Sequence, residues 1–128
     1  MAKGNKTPCE TEFSEQCEFV RYLELKGLKF TAIPNSTYTP SFAQKMKNKK
    51  MGLRAGLPDL LVILPNGYLA FVEMKRVRGG SLSKEQAEWI DALNEVPHVR
   101  AFMARGSGEA IDMIELLLEH PTLTPEAF

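Results

Sequence analysis

The stretch DLLVILPNGYLAFVEMK, residues 59–75, reads as a β-hairpin and decides how the rest of the chain is read. Two apolar runs, Asp59 to Leu64 and Tyr68 to Met74, are joined by Pro65-Asn66-Gly67, which is turn chemistry. Side chains alternate along a strand, so Glu73 and Lys75 share one face and Met74 takes the other. A three-residue loop sets Leu64 opposite Tyr68 and therefore Asp59 directly opposite Glu73, with Cβ atoms ~5 Å apart. A two-residue Asn66-Gly67 turn shifts the register by one and moves Asp59 to the other face. A bulge compensates in either case, so the residues alone leave both registers open.

In the aligned register two carboxylates repel unless something cationic sits between them. A hard divalent ion fits: magnesium takes one or two carboxylates and completes its octahedron with waters and substrate phosphate oxygens. Such an ion polarises a phosphoryl oxygen and lowers the pKa of a coordinated water. Lys75 would orient that water or stabilise charge developing on phosphorus. The plainer reading is a Glu73–Lys75 surface ion pair, worth ~0–1 kcal/mol. Gln86 precedes Trp89 and Ile90 by three and four positions, on the same apolar stripe. It is either the second half of a capping box opened by Ser83 or an amide facing the site. For a third acid, Glu12 flanks the apolar stripe of the first helix and Glu24 lies on it, whereas Glu15 and Glu18 point away towards solvent.

Outside the hairpin, a length of 128 residues, 44% hydrophobic and 25% charged, describes one ordinary globular domain with a single core. The longest apolar run, Leu60 to Leu64, is too short to cross a bilayer, and Met1 to Glu10 lacks the apolar core of a secretion signal. Two cysteines, Cys9 and Cys17, cannot by themselves make a four-ligand zinc site, and the two histidines, His98 and His120, lie far apart and add little. The cysteine count does not suggest a disulfide scaffold, which points to a reducing, intracellular setting. The net charge of zero conceals a split. Residues 43–84 carry nine basic side chains against two acidic, and residues 85–128 carry two basic against nine acidic. A cationic middle suits a polyanion, although the two regions facing one another would also account for it. Lys45, Lys47, Lys49, Lys50 and Arg54, with Arg76 and Arg78, are the candidates to hold flanking phosphates.

Along the chain, residues 1–10 read as a disordered leader and 11–128 as one domain. Helical spacing of Phe13, Cys17, Val20 and Leu23 predicts a first helix from Thr11 to Lys26, stopped by Gly27. Phe30 to Ile33 is a short strand, residues 35–41 are loop, and Phe42 to Met51 is a basic helix. After the hairpin, a helix runs to about Val96. Val99 to Met103 is a further strand, and a last helix starts at Gly106-Ser107-Gly108 and runs to about Leu118. The order predicts a small mixed α/β domain. Gly106-Ser107-Gly108-Glu109 could cradle a phosphate at a helix N-terminus, but it lacks P-loop spacing. Cys17 reads as core, and no serine sits in a nucleophile elbow.

Gly56-Leu57-Pro58-Asp59, followed one strand later by Glu73-Met74-Lys75, resembles the PD-(D/E)XK nuclease signature. Ile33-Pro34-Asn35, Gly52-Leu53-Arg54-Ala55-Gly56 and Leu82-Ser83-Lys84-Glu85-Gln86 with Trp89 are similar to its VRR-NUC branch, from roughly Glu12 to Leu118. The resemblance implies a restriction-endonuclease-like αβββαβ core with a small mixed sheet, and Mg²⁺- or Mn²⁺-dependent cleavage of DNA. It implies Asp59, Glu73 and the Met74 backbone carbonyl as metal ligands, Lys75 as the catalytic lysine, and Gln86 as the glutamine of the following helix. Glu12, four before Gln16, matches the acid of the first helix. Small stand-alone members are associated with viral (phage) genomes and with homodimers acting on branched DNA such as four-way junctions. Pro97-His98 departs from the family's Gly-Tyr, away from the proposed metal. Two other readings stand beside this one: a non-catalytic nucleic-acid-binding module, and a catalytic subunit that needs a larger partner.

Overall fold

The computed structural model describes residues 11–34 and 38–122. The leader reading of residues 1–10, Cys9, and the loop positions 35–37 lie outside the described residues. The elements run α1 (Glu12–Lys26), β1 (Lys29–Ala32), α2 (Phe42–Lys50), β2 (Leu60–Ile63), β3 (Leu69–Lys75), α3 (Lys84–Asn94), β4 (Val99–Arg105) and α4 (Gly106–Glu119). The four strands form one sheet in the order β1-β2-β3-β4. β1–β2 and β2–β3 are antiparallel and β3–β4 is parallel, so α3 supplies the crossover that a parallel pair requires. This is the expected αβββαβ core with α2 inserted between β1 and β2.

The turn decides the register. Leu64 N–H donates to the Tyr68 carbonyl (2.9 Å) and Gly67 N–H to the Leu64 carbonyl (3.2 Å), closing a three-residue loop. Gly67 sits at φ 90°, a conformation glycine adopts without a Cβ penalty. Leu60 pairs with Val72 and Ile63 with Leu69, which puts Asp59, one residue before β2, in line with Glu73. The Asn66 side chain donates to the Leu117 carbonyl (3.1 Å), anchoring the loop to the end of α4.

α1 and α4 pack on one face of the sheet. Phe19 and Leu23 of α1 join Val72 and Met74 of β3, Phe102 and Ala104 of β4, and Ile114 and Leu117 of α4 in the core. β4 is an outer strand, and its open edge is partly closed by a side chain. Asn94 donates to the Ala101 carbonyl and accepts from the Ala101 N–H, both at 2.8 Å.

The rotation of α1 differs from expectation. Its buried residues are Glu15, Phe19 and Leu23, whereas Phe13 is 79% exposed and Cys17 is exposed rather than core. Glu24 faces solvent and does not reach inward. A carboxylate in the middle of the inward stripe shifts the apparent apolar periodicity, which places Glu15 towards solvent although it is buried. α2 is shorter than expected by one residue, is capped by Ser41, and buries none of its side chains.

The segment entering β2 is pinned to α3. The Trp89 indole N–H donates to the Ala55 carbonyl (3.0 Å). Gly56, at φ 106°, lies so close to α3 that a Cβ there would stand 2.7 Å from the Glu85 carbonyl carbon. Replacing Gly56 with Ala therefore imposes both a clash and left-handed backbone strain, an expected loss of about 1–3 kcal/mol in chemical denaturation.

Candidate active site

Asp59, Glu73, Lys75 and Gln86 converge where β2 and β3 meet the N-terminus of α3. The convergence follows from ladder geometry. Pro58, the ladder neighbour of Met74, has no N–H to give, which leaves the Met74 carbonyl without a ladder donor from that residue. The Met74 N–H donates to the Asp59 side chain, at 2.8 Å from Oδ2. N–H and C=O of one strand residue point the same way, so the Met74 carbonyl is directed to the Asp59 side.

Glu73 is 3% exposed. Its Oε2 accepts from Gln86 Nε2 at 3.0 Å and lies 3.7 Å from Lys75 Nζ. Its Oε1 is buried and has no hydrogen-bond partner. Burial, then the neighbouring Asp59 charge, push the Glu73 carboxyl up to about 8, against the partial relief of Lys75. Burial also raises Asp59, opposed by the Met74 N–H and by Lys75.

The two readings of Gln86 are both met. Its Oε1 accepts from Ser83 N–H (2.9 Å) and its own N–H donates to Ser83 Oγ (3.1 Å), completing the capping box. The amide NH₂ remains for Glu73. The Lys75 stem is confined by the following loop, since a Cβ on Gly80 would stand 3.3 Å from Lys75 Cβ and Cδ.

The other candidates are more scattered. Glu12 is exposed at the start of α1, near enough for its charge to raise Glu73. Among the described residues no group of three or more His, Cys, Asp or Glu side chains is arranged to hold a metal ion, so Glu12 stands outside the Asp59–Glu73 pair. Lys45, Lys49 and Arg54 line a hollow of about 230 Å³ with Asn48, Leu53 and Ala55. Arg54 donates to the Lys49 and Leu53 carbonyls (3.2 and 3.1 Å). Lys47 and Lys50 are exposed on α2 outside that hollow, and Arg76 and Arg78 are exposed on the loop after β3. Glu15 and Glu18 were missed as partners of α4: Glu15 accepts from the Ser107 N–H and Glu18 from the Ser107 hydroxyl. Their signal was a helix start, Gly106-Ser107-Gly108, with no capping side chain immediately before it.

A family model for the VRR-NUC domain matches residues 6–108. The chain belongs to the VRR-NUC domain family. VRR-NUC is a nuclease-type family, so the acid–lysine cluster lies in a domain of the hydrolase class expected from the sequence. Two solved structures share the VRR-NUC fold. One, described as a "VRR_NUC domain protein", is 23% identical with a TM-score of 0.69, covering 85% of this chain and 88% of that one. The other, a "VRR_NUC domain", is 23% identical with a TM-score of 0.56, covering 86% and 97%. No curated protein matches the chain. No helix among the described residues is long and apolar enough to cross a membrane.

The raised Glu73 carboxyl has a measurable consequence. In the unfolded chain it returns to about 4.5, so between about 4.5 and 8 the folded state holds the extra proton. The stability of the cation-free protein therefore falls as pH rises through that window. Thermal melts in EDTA from pH 5 to 8 should show this decline, and Glu73→Gln, which cannot ionise, should flatten it. An equal slope in Glu73→Gln would contradict the assignment.

Proposed function

We propose that this protein is a metal-dependent DNA endonuclease that hydrolyses phosphodiester bonds, with Mg²⁺ or Mn²⁺ held by Asp59, Glu73 and the Met74 carbonyl. The observation that carries the reading is the buried Glu73 Oε1, which accepts no hydrogen bond, beside the half-buried Asp59 carboxyl. Leaving such an acceptor unpaired costs roughly 1–3 kcal/mol, so the site is built for a group that supplies positive charge. Two carboxylates and a carbonyl are all oxygen donors, the set that hard divalent cations take.

A bound cation supplies Lewis acidity and an acidified water. The chain's own residues do the rest. Lys75, with its stem confined and its Nζ near Glu73, is placed to orient a water or to neutralise charge on the phosphoryl group. Gln86 holds Glu73 in one orientation through Oε2 and leaves Oε1 directed into the site. Glu12 adds negative charge at the mouth. Lys45, Lys49 and Arg54 offer a cationic hollow for a flanking phosphate, and Lys47, Lys50, Arg76 and Arg78 extend the basic surface. A purely structural ion pair fits less well: it would leave the buried Glu73 Oε1 without a partner.

We also propose structure-selective action on branched DNA by a homodimer. α2 buries none of its own side chains and exposes Phe42 and Met46, with Met51 exposed at its C-cap, which is apolar surface for a second copy to cover.

The test is incubation of purified protein with labelled duplex, single-stranded, flap and four-way DNA in Mg²⁺, Mn²⁺ or EDTA. Cleavage is expected only with metal, preferentially on branched substrates. Lys75→Ala should cut at least about a hundredfold more slowly while keeping its metal affinity, and full activity in that variant would remove lysine from the mechanism. Neutralising Lys47, Lys49 and Lys50 together should reduce the salt dependence of DNA binding by about one unit of slope per lost phosphate contact.

A further inference from the structure

α3 presents an aromatic ring to the segment that leads into Asp59. The Trp89 indole N–H donates to the Ala55 carbonyl at 3.0 Å, which fixes the orientation of a half-buried ring. Trp89 lines a hollow of about 350 Å³ with Arg54, Ala55, Glu85, Glu88 and Ala92. The hollow of about 230 Å³ that holds Lys45 and Lys49 shares Arg54 and Ala55 with it, so the two are continuous. Charge is divided between them. The smaller hollow carries only cationic groups, and the larger adds two carboxylates on the side of α3. The larger hollow lies one helical turn from the acid pair, because Gln86, which donates to Glu73, precedes Trp89 by three residues.

The two halves suit different chemical groups. Lys45, Lys49 and Arg54 attract a phosphate, whereas Glu85 and Glu88 repel one from the larger half. What an indole face beside two carboxylates accepts is a flat, uncharged ring that brings hydrogen-bond donors. We infer that the two hollows form one nucleotide subsite, in which the cationic half takes a phosphate and Trp89 stacks the unpaired base attached to it. Glu85 and Glu88 accept from an exocyclic amine, so cytosine, which presents its N4 amine where thymine presents O4, is the favoured base of the two. A perfect duplex keeps its bases stacked, while single strands and distorted sites yield one at lower cost. The inference rests on the endonuclease reading and names the feature of the substrate that the site selects.

Trp89 is the single tryptophan of the chain, so its emission reports on this hollow alone. The experiment titrates the full chain, in EDTA to prevent metal-dependent cutting, with short labelled single strands of dC, of dT, and of abasic residues with equal charge. Trp89 emission and label anisotropy are both read. The dC strand should quench Trp89 and bind about tenfold more tightly than the abasic strand, the scale of one base–aromatic stack, with dT between them. Trp89→Ala should abolish that difference, and Trp89→Phe, which keeps a ring but not the N–H, should retain most of it. Glu85→Gln/Glu88→Gln should level dC and dT, because an amide both donates and accepts. If Trp89→Ala fails to fold, Trp89→Phe and the wild-type comparison of dC with abasic strands decide. Equal affinity for those two strands, without quenching, makes Trp89 a brace for Ala55 only. That result overturns the inference and leaves the endonuclease reading standing, as does a Trp89→Ala variant that weakens both strands equally. No binding of any strand overturns the endonuclease reading itself.

Discussion

Two carboxyl groups sit in one row of an antiparallel ladder, Glu73 buried and Asp59 half-buried. Like charges so arranged oppose sheet formation, and the protein meets the cost in three ways. Asp59 accepts the Met74 backbone N–H. Gln86 and Lys75 share one oxygen of Glu73. The residual strain appears as a Glu73 carboxyl raised to about 8. One oxygen, Oε1, remains unserved. The loop pinned by Trp89, the capping box of α3 and the confined stem of Lys75 all keep that cluster together.

Much of this was legible in the residues. The hairpin followed from Pro65-Asn66-Gly67 between apolar runs, and the capping box from Ser83 and Gln86 three residues apart. The register was not decided, because a two-residue and a three-residue turn are both compatible with the same letters. Leu64 bonding to Tyr68 is a fact of backbone geometry. Gln86 presented two readings as rivals, and they coexist because an amide has two ends. The rotation of α1 was hidden for a different reason. Periodicity locates a buried face by its apolar side chains, and here the face carries Glu15, whose partner Ser107 is distant in sequence. A tertiary hydrogen bond leaves no local pattern to read.

The zero net charge likewise conveys little until it is divided along the chain. The basic excess falls on α2, on the segment leading into Asp59 and on the loop after Lys75, and so brackets the acid pair in sequence. The acidic excess belongs to the later part of the chain, from residue 85 on. Cationic stretches next in sequence to a small acidic pair suit a polyanion that must be drawn to a site that itself repels it. Membership of the VRR-NUC family agrees with that arrangement, and the 23% identity of the two solved relatives indicates that the fold persists through extensive sequence change.

The account stands on the Asp59–Glu73 pair sharing a divalent cation. The most direct measurement is an anomalous difference map from crystals soaked in Mn²⁺. The account predicts a single dominant peak within coordination distance of Asp59, Glu73 Oε1 and the Met74 carbonyl. Strong Mn²⁺ peaks elsewhere with none between these oxygens, or the two carboxyl groups turned apart in the soaked crystal, would contradict it.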